Sequence, residues 1–390
     1  MKKITIMKNK EKKQKLKVAF PHMGTIYIAW ASCLRRLGVE PFIPPYTSKK
    51  TLSIGTKNSP ESICLPYKLI LGNFVEAIEA GADYVAMISS PGICRLGEYG
   101  KSIKNNLKNM GYEANYIELQ LYDGIKGLYR FITELTPIRN PFVILSAINL
   151  MIQKIFVLDK LEQVLSFYRA RELKCGTAER AFKQGLHLIY EADSLKQLDR
   201  AKREVIAKIR KTPIDKKRDV VYVDITGEIF LVLDYFANQN IEKELGKMGV
   251  QTRRTLTVSS FLKDAIIPKF LRKGETHLQR AFRLAKPYLS RDIGGDALES
   301  VSDVVYANKQ GRDGIIHISP FTCMPEIMSQ NIFPKMREDV DIPILTLIMD
   351  EQTGKAGYIT RLEAFVDLMR RKKRKNKIKA SKEFVPEKIL

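Results

Sequence analysis

Residues 313–327, DGIIHISPFTCMPEI, begin as an isoleucine-rich run and stop at one cysteine held between two prolines. A continuous Val/Ile/Leu run with polar residues only at its exit is the signature of a parallel strand covered on both faces. Four other runs repeat it: LKVAFPHMG (16–24), ADYVAMISSPG (82–92), RDVVYVDITGE (218–228) and IPILTLIMDEQTG (342–354). Helical patterns lie between them, such as TIYIAWASCLRRLG (25–38), LILGNFVEAIEAG (69–81) and QNIEKELGKMG (239–249), each closing on a glycine that suits a helix C-terminus. Strand alternating with helix predicts an α/β fold: two flavodoxin- or Rossmann-like open parallel-sheet domains. The first domain spans 16–124 and the second 216–370. Residues 125–215 are charged and helix-patterned, and read as a helical insert between them. A basic tail, 1–15, precedes the first domain; a second, 371–390, reads as solvated and partly disordered.

The chain of 390 residues carries 66 Lys and Arg against 43 Asp and Glu, a net charge of +23. That balance admits nucleic acid, acidic proteins, phosphorylated ligands and anionic lipid as partners without choosing among them. RRKKRKNKIK, 370–379, clusters charge but has no aromatic stacking pattern or nucleic-acid signature beside it. A solvating tail or a docking arm for an acidic redox partner is the expected reading, and nucleic acid is not. The N-terminal stretch is basic with no apolar core of a signal peptide. The most apolar stretch, PFVILSAINLMIQKIFVL (141–158), is broken by Asn149, Gln153 and Lys154, so a buried helix is expected rather than a membrane span. Five scattered cysteines argue against a disulfide framework and for a reducing cytoplasm. QTGKAG (352–357) lacks the spacing of a phosphate-binding P-loop, and DITGE (224–228) only faintly resembles an actin-like phosphate loop.

The cysteines fall into two classes. Cys33, in AWASCLRRLG, reads as a core thiol, and Cys175, in RARELKCGTAER, as a surface one. Cys64 (NSPESICLPYK), Cys94 (SSPGICRLGEYG) and Cys323 (SPFTCMPEI) share a different setting: a loop beside a strand or helix end, with proline within four residues upstream. Proline stiffens such loops, and ligands gather at the carboxyl ends of strands in doubly wound sheets. Three thiols converging from there admit three readings. They are a Cys3His zinc site completed by His22 or His317, an iron–sulfur cube with one iron left open, or three unrelated buried thiols. Glu61, Lys68, Glu228, Glu326, Asp350 and Glu351 are the charged residues placed to act on a substrate beside them. Structural roles, as turn formers, helix caps or solvent-facing pairs, compete for each. Gly294 and Gly295 allow close backbone approach, or a plain turn.

ESICLPYK, PGICRLGEYG, DGIIHISPFTCMPEI and DEQTGKAGYITRLEAFVDLM together resemble the 2-hydroxyacyl-CoA dehydratase-like family. The closer likeness is to its stand-alone branch, the acyl-CoA dehydratase activase-related or CoA protein activase-like proteins. GEIFLVLDYFANQNIEKELGKMGV (227–250) and IGGDALESV (293–301) fit the same branch, and the likeness runs over about 16–370. The resemblance implies flavodoxin-like domains and a [4Fe–4S] cluster on Cys64, Cys94 and Cys323, either as a single cube or in a bridged double cubane. It implies oxygen-sensitive radical chemistry, with a CoA thioester as the substrate class. The implied electron donor is a separate iron–sulfur ATPase reductase of the actin-like superfamily, and the implied assembly a homo- or hetero-dimer. On this reading the chain is a dehydratase-like lyase or reductase, or a subunit of one. The alternative is a non-catalytic accessory protein with a structural metal site and a basic docking surface.

Overall fold

A computed structural model describes residues 16–89, 94–113, 115–120, 124–266 and 274–383. The basic stretch 1–15, Pro91 and the end of the C-terminal basic stretch lie outside the described residues. The first four strands are β1 (Lys17–Ala19), β2 (Glu40–Phe42), β3 (Tyr84–Ser89) and β4 (Asn115–Gln120). They form one parallel sheet in the order β2-β1-β3-β4. The next four, β5 (Val221–Gly227), β6 (Val250–Arg254), β7 (Gly314–Pro320) and β8 (Ile344–Met349), form a second parallel sheet in the order β6-β5-β7-β8. The fold is therefore α/β with two Rossmann-like sheets. Each sheet reverses its strand order between its first and third strands, where a crevice opens for ligands.

The central strands read as apolar runs because helices cover both faces. Every residue of β7 is buried. Three edge strands lack that signature: β2 is EPF, β4 is NYIELQ and β6 is VQTRR. An edge strand meets water and needs fewer apolar residues.

The two sheets are wrapped alike. In the first, helix Tyr27–Arg36 and helix Gly124–Leu135 belong to one face, while helix Leu65–Glu79 and helix Tyr99–Asn109 pack on the other. In the second, helix Ile241–Lys247 and helix Lys355–Glu383 share one face, opposite helix Ala297–Lys309 and helix Met324–Met336. One continuous core joins Leu69, Phe74 and Val85 of the first unit to Ile225, Ile316 and Leu362 of the second.

Between the sheets the chain is helical, with Pro141–Arg169, Thr177–Glu191 and Leu195–Arg210 forming their own apolar core around Leu158, Leu161, Phe182 and Val205. Helix Pro141–Arg169 is, by length and composition, long and apolar enough to cross a membrane, which its polar interruptions obscured in the sequence. In the fold it packs one face against both the first unit and the insert. Lys154, fully buried on it, donates to the Ser32 hydroxyl and to the Tyr190 carbonyl at 3.0 Å. The helix is partly rather than wholly buried: Phe142 and Leu145 are 79% and 62% exposed. Its end is anchored to the second sheet by Arg254, whose guanidinium pairs with Glu162 and Glu242.

The C-terminal expectation needs correction. Helix Lys355–Glu383 runs on through residue 370 and into the basic stretch, which has no glycine or proline before Pro386 to stop it. Lys372 donates to the Asp341 carbonyl at 2.8 Å and Lys373 to the Val220 carbonyl at 2.6 Å, so these two are docked, while Arg371, Arg374, Lys375 and Asn376 are solvated.

Candidate functional site

Each of the three singled-out cysteines starts a helix. Cys64 is the N-cap of helix Leu65–Glu79, Cys94 of the 3-10 turn Arg95–Glu98, and Cys323 of helix Met324–Met336. All three have extended backbone, and no side chain caps the helix at any of them. Pro66 and Pro325, in the first turns, suit a position whose amide has no intrahelical acceptor. Cys94 follows β3 and Cys323 follows β7, the third strands of their sheets, so both lie at switch points.

The neighbours of the three cysteines are bonded to one another. Arg95, next to Cys94, donates through Nη1 to the Ser62 carbonyl at 3.1 Å, two residues before Cys64. Its Nη2 reaches Thr322, next to Cys323, at the carbonyl and, at 3.1 Å, the hydroxyl. Thr322 Oγ1 closes the triangle by donating to the Ser62 carbonyl at 2.9 Å. Thr322 holds φ +63°, a left-handed conformation that a β-branched residue adopts only when its surroundings impose it. A loop from each sheet and a helix start thus meet at one knot.

Cys64 and Cys323 are buried and Cys94 is partly so, whereas Cys175 is exposed. Cys64 Sγ and the Tyr99 hydroxyl share a hydrogen bond at 2.5 Å, and Tyr99 packs edge-on against Tyr67. Burial pushes the Cys94 thiol up to about 12, and raises those of Cys64 and Cys323 as well. A charge on Cys64 would raise the Cys94 and Cys323 thiols further. Arg95 favours the Cys64 thiolate by its charge but does not offset the burial; a metal cation among the thiols would reverse the balance, because a coordinated thiol is deprotonated outright. Among the described residues no group of three or more His, Cys, Asp or Glu side chains stands at the spacing for one metal ion. A cube asks for a different spacing, one thiolate per iron.

Carboxylates form the floor. Glu228 caps helix Ile229–Leu233 through bonds from the Phe230 and Leu231 amides, at 3.1 and 2.9 Å. Burial, with Asp296 nearby, pushes its carboxyl up to about 8. Asp296 accepts from the Ile229 amide at 2.9 Å, and burial with Glu326 nearby raises it to about 7. Glu326, wholly buried, bonds His317 Nε2 at 2.5 Å. Its Oε1 and His317 Nδ1 have no partner among the described residues. Buried polar atoms without partners are rare and ask for an explanation.

The remaining candidates divide. Lys68, buried behind Cys64, forms an ion pair with Glu351 at 2.7 Å and donates to the Glu61 carbonyl at 3.0 Å, so two charged candidates are tied across the two units. Glu61 contributes its backbone there, and its side chain is exposed. Asp350 serves a turn, accepting from the Thr353 hydroxyl and the Gln352 amide. His22 is engaged with the Pro44 carbonyl at 2.8 Å and stacks on Tyr46. Cys33 is a core thiol. The sequence reading passed over Arg95, Tyr99, Thr322 and Asp296. Asp296 had a visible signal, an N-cap aspartate directly after Gly294–Gly295 and before an apolar helical run.

The family model for the CoA enzyme activase uncharacterised domain (DUF2229) matches residues 20–256, more than half of the chain. The chain belongs to this CoA enzyme activase-related family. A comparison with curated proteins finds no match. The activase match covers the first sheet apart from β1, the helical insert and β5 and β6, and so includes Cys64 and Cys94. Cys323 lies beyond it, on the part of the second sheet that the knot at Thr322 brings back to the matched region.

Proposed function

We propose that the chain is an iron–sulfur protein of the 2-hydroxyacyl-CoA dehydratase system, with Cys64, Cys94 and Cys323 as the thiolate ligands of one [4Fe–4S] cluster. The observation that carries the reading is the knot of Arg95, Thr322 and the Ser62 carbonyl, which ties the three cysteine loops together. Family membership supports it independently. When bound, such a cluster supplies a low-potential electron and a Lewis-acid iron at the same place.

The chain's own residues do the rest. Three stiff N-cap loops present the sulfurs, and the starts of the longer helices favour the thiolate form. Tyr67 and Tyr99 pack over Cys64 and keep water from it. Lys68, neutralised in part by Glu351, holds a cation in the first turn of the Cys64 helix. The Glu228 carboxyl holds a proton near neutral pH beside the cysteine loops, where a reduction needs one. The donor class is an actin-like iron–sulfur ATPase, and the substrate class a CoA thioester.

Iron, acid-labile sulfide and zinc measured together on protein purified without oxygen test the reading. About four irons and four sulfides per chain are expected. Zinc alone, or no metal after anaerobic reconstitution, overturns it in favour of an accessory protein.

A further inference from the structure

The two sheets have the same strand order and the same helix placement, so their helix starts correspond. Cys94 and Cys323 both cap the helical segment that follows the third strand. Cys64 caps the helix that precedes the third strand of the first sheet. The corresponding helix of the second sheet, Ala297–Lys309, is capped by Asp296. Four equivalent positions therefore carry three cysteines and one aspartate.

We propose that Asp296 is the fourth protein donor of the cysteine site, its Oδ1 taking the iron that three thiolates leave open. The proposal rests on the cluster reading above. Placement supports it first. A Cβ on Gly295, the preceding residue, would stand 2.6 Å from Pro325 Cγ and 3.7 Å from Cys94 Cβ. The backbone leading into Asp296 is thus pressed between the loops of Cys94 and Cys323, and only glycine permits it. Gly295 also holds φ +65°.

Donor capacity supports it second. Both Glu228 oxygens are spent on backbone amides. Glu326 bonds His317 beneath the site and is wholly closed to solvent. Asp296 spends Oδ2 on the Ile229 amide and keeps Oδ1 free of hydrogen bonds from the described residues. It also keeps some solvent exposure, which Glu326 does not.

A third observation is independent of both. The buried Glu326 Oε1 and His317 Nδ1 lack a partner among the described residues, and Glu326 is close enough to interact electrostatically with both Cys323 and Asp296. Unpartnered polar atoms and crowded carboxylates here point to a positively charged occupant. A carboxylate is a weaker iron ligand than a thiolate, so Asp296 closes the fourth position reversibly. A substrate oxygen or small anion must displace it.

The test uses cyanide as the probe of the fourth iron, on full-length protein reconstituted without oxygen. Wild type, Asp296→Ala and Asp296→Asn are titrated with cyanide and followed by electron paramagnetic resonance of the reduced cluster, with iron counted in each. Asp296→Ala is expected to keep about four irons and to bind cyanide about tenfold more tightly, because the competing ligand is gone. Asp296→Asn preserves the acceptor for the Ile229 amide, and is expected to behave likewise if Asp296→Ala does not fold. Full iron with unchanged cyanide affinity in the folded variants overturns the Asp296 assignment alone. Wild type that takes up no iron overturns the cluster reading itself.

Discussion

In the first sheet unit the helix before the third strand starts at Cys64; in the second, its counterpart starts at Asp296. The two units agree in strand order, in the faces their helices cover and in placing a cysteine after the third strand. Shared architecture explains why the cysteine loops meet: equivalent switch points bring equivalent helix starts together. The difference between the units is chemical, since all three carboxylates of the floor come from the second unit and the Tyr67–Tyr99 pair from the first.

The largest effect expected on stability comes from glycines that look alike in the two units. Gly227, at the end of β5, has φ +126°, and a Cβ there would fall 2.0 Å from the Ile318 carbonyl oxygen. Gly227→Ala is expected to cost about 4 kcal/mol in urea unfolding. Gly38, with φ +75° and nothing nearer than 3.9 Å, is expected to cost about 1 kcal/mol as Gly38→Ala. Equal costs would mean that the second unit tolerates backbone shift at its switch point and is not rigid there.

Next comes the pair that joins the units. Glu351→Gln leaves Lys68 charged with only the Glu61 carbonyl for company, and the expected loss is about 2 kcal/mol, below that of a fully buried pair because Glu351 is 19% exposed. Lys68→Met and Glu351→Gln combined should cost less than their sum in a double-mutant cycle; simple additivity would show that the pair does not couple the units.

A smaller effect concerns pH. The folded protein holds Glu228 neutral up to about pH 8, while an unfolded chain releases that proton near pH ~4. Between those limits the native state binds more protons, so stability of the metal-free protein falls as pH rises through that window. Urea midpoints at several pH values should show this decline, and Glu228→Gln should flatten it. An unchanged slope would remove Glu228 as its source. Smallest of all, Cys175→Ser on the exposed insert should stay within about 0.5 kcal/mol of wild type.

The same contrast of settings decides what could be read from sequence. β1, β3, β5 and β7 are interior strands, and their apolar runs announced them. β2, β4 and β6 are edges, too short or too polar to be told from loops. β8 is also an edge, yet its ILTLIM was visible, because its inner residues pack into the shared core. The placement of Cys64, Cys94 and Cys323 beside strand and helix ends was legible through their loop context. Arg95 and Thr322 were not, because their importance lies in bonds to Ser62, which stands 33 residues from the first and 260 from the second. Asp296 was visible as an N-cap aspartate, but its equivalence to Cys64 exists only once two sheets of the same order are laid side by side.

The most direct test of the central claim is the iron content of Cys323→Ala, the ligand contributed by the second unit and lying outside the matched family region. Purified without oxygen beside wild type and Cys33→Ala, it should lose the cluster, while the other two carry about four irons per chain. A Cys323→Ala protein with wild-type iron would contradict the account, for the two units would then not share one centre.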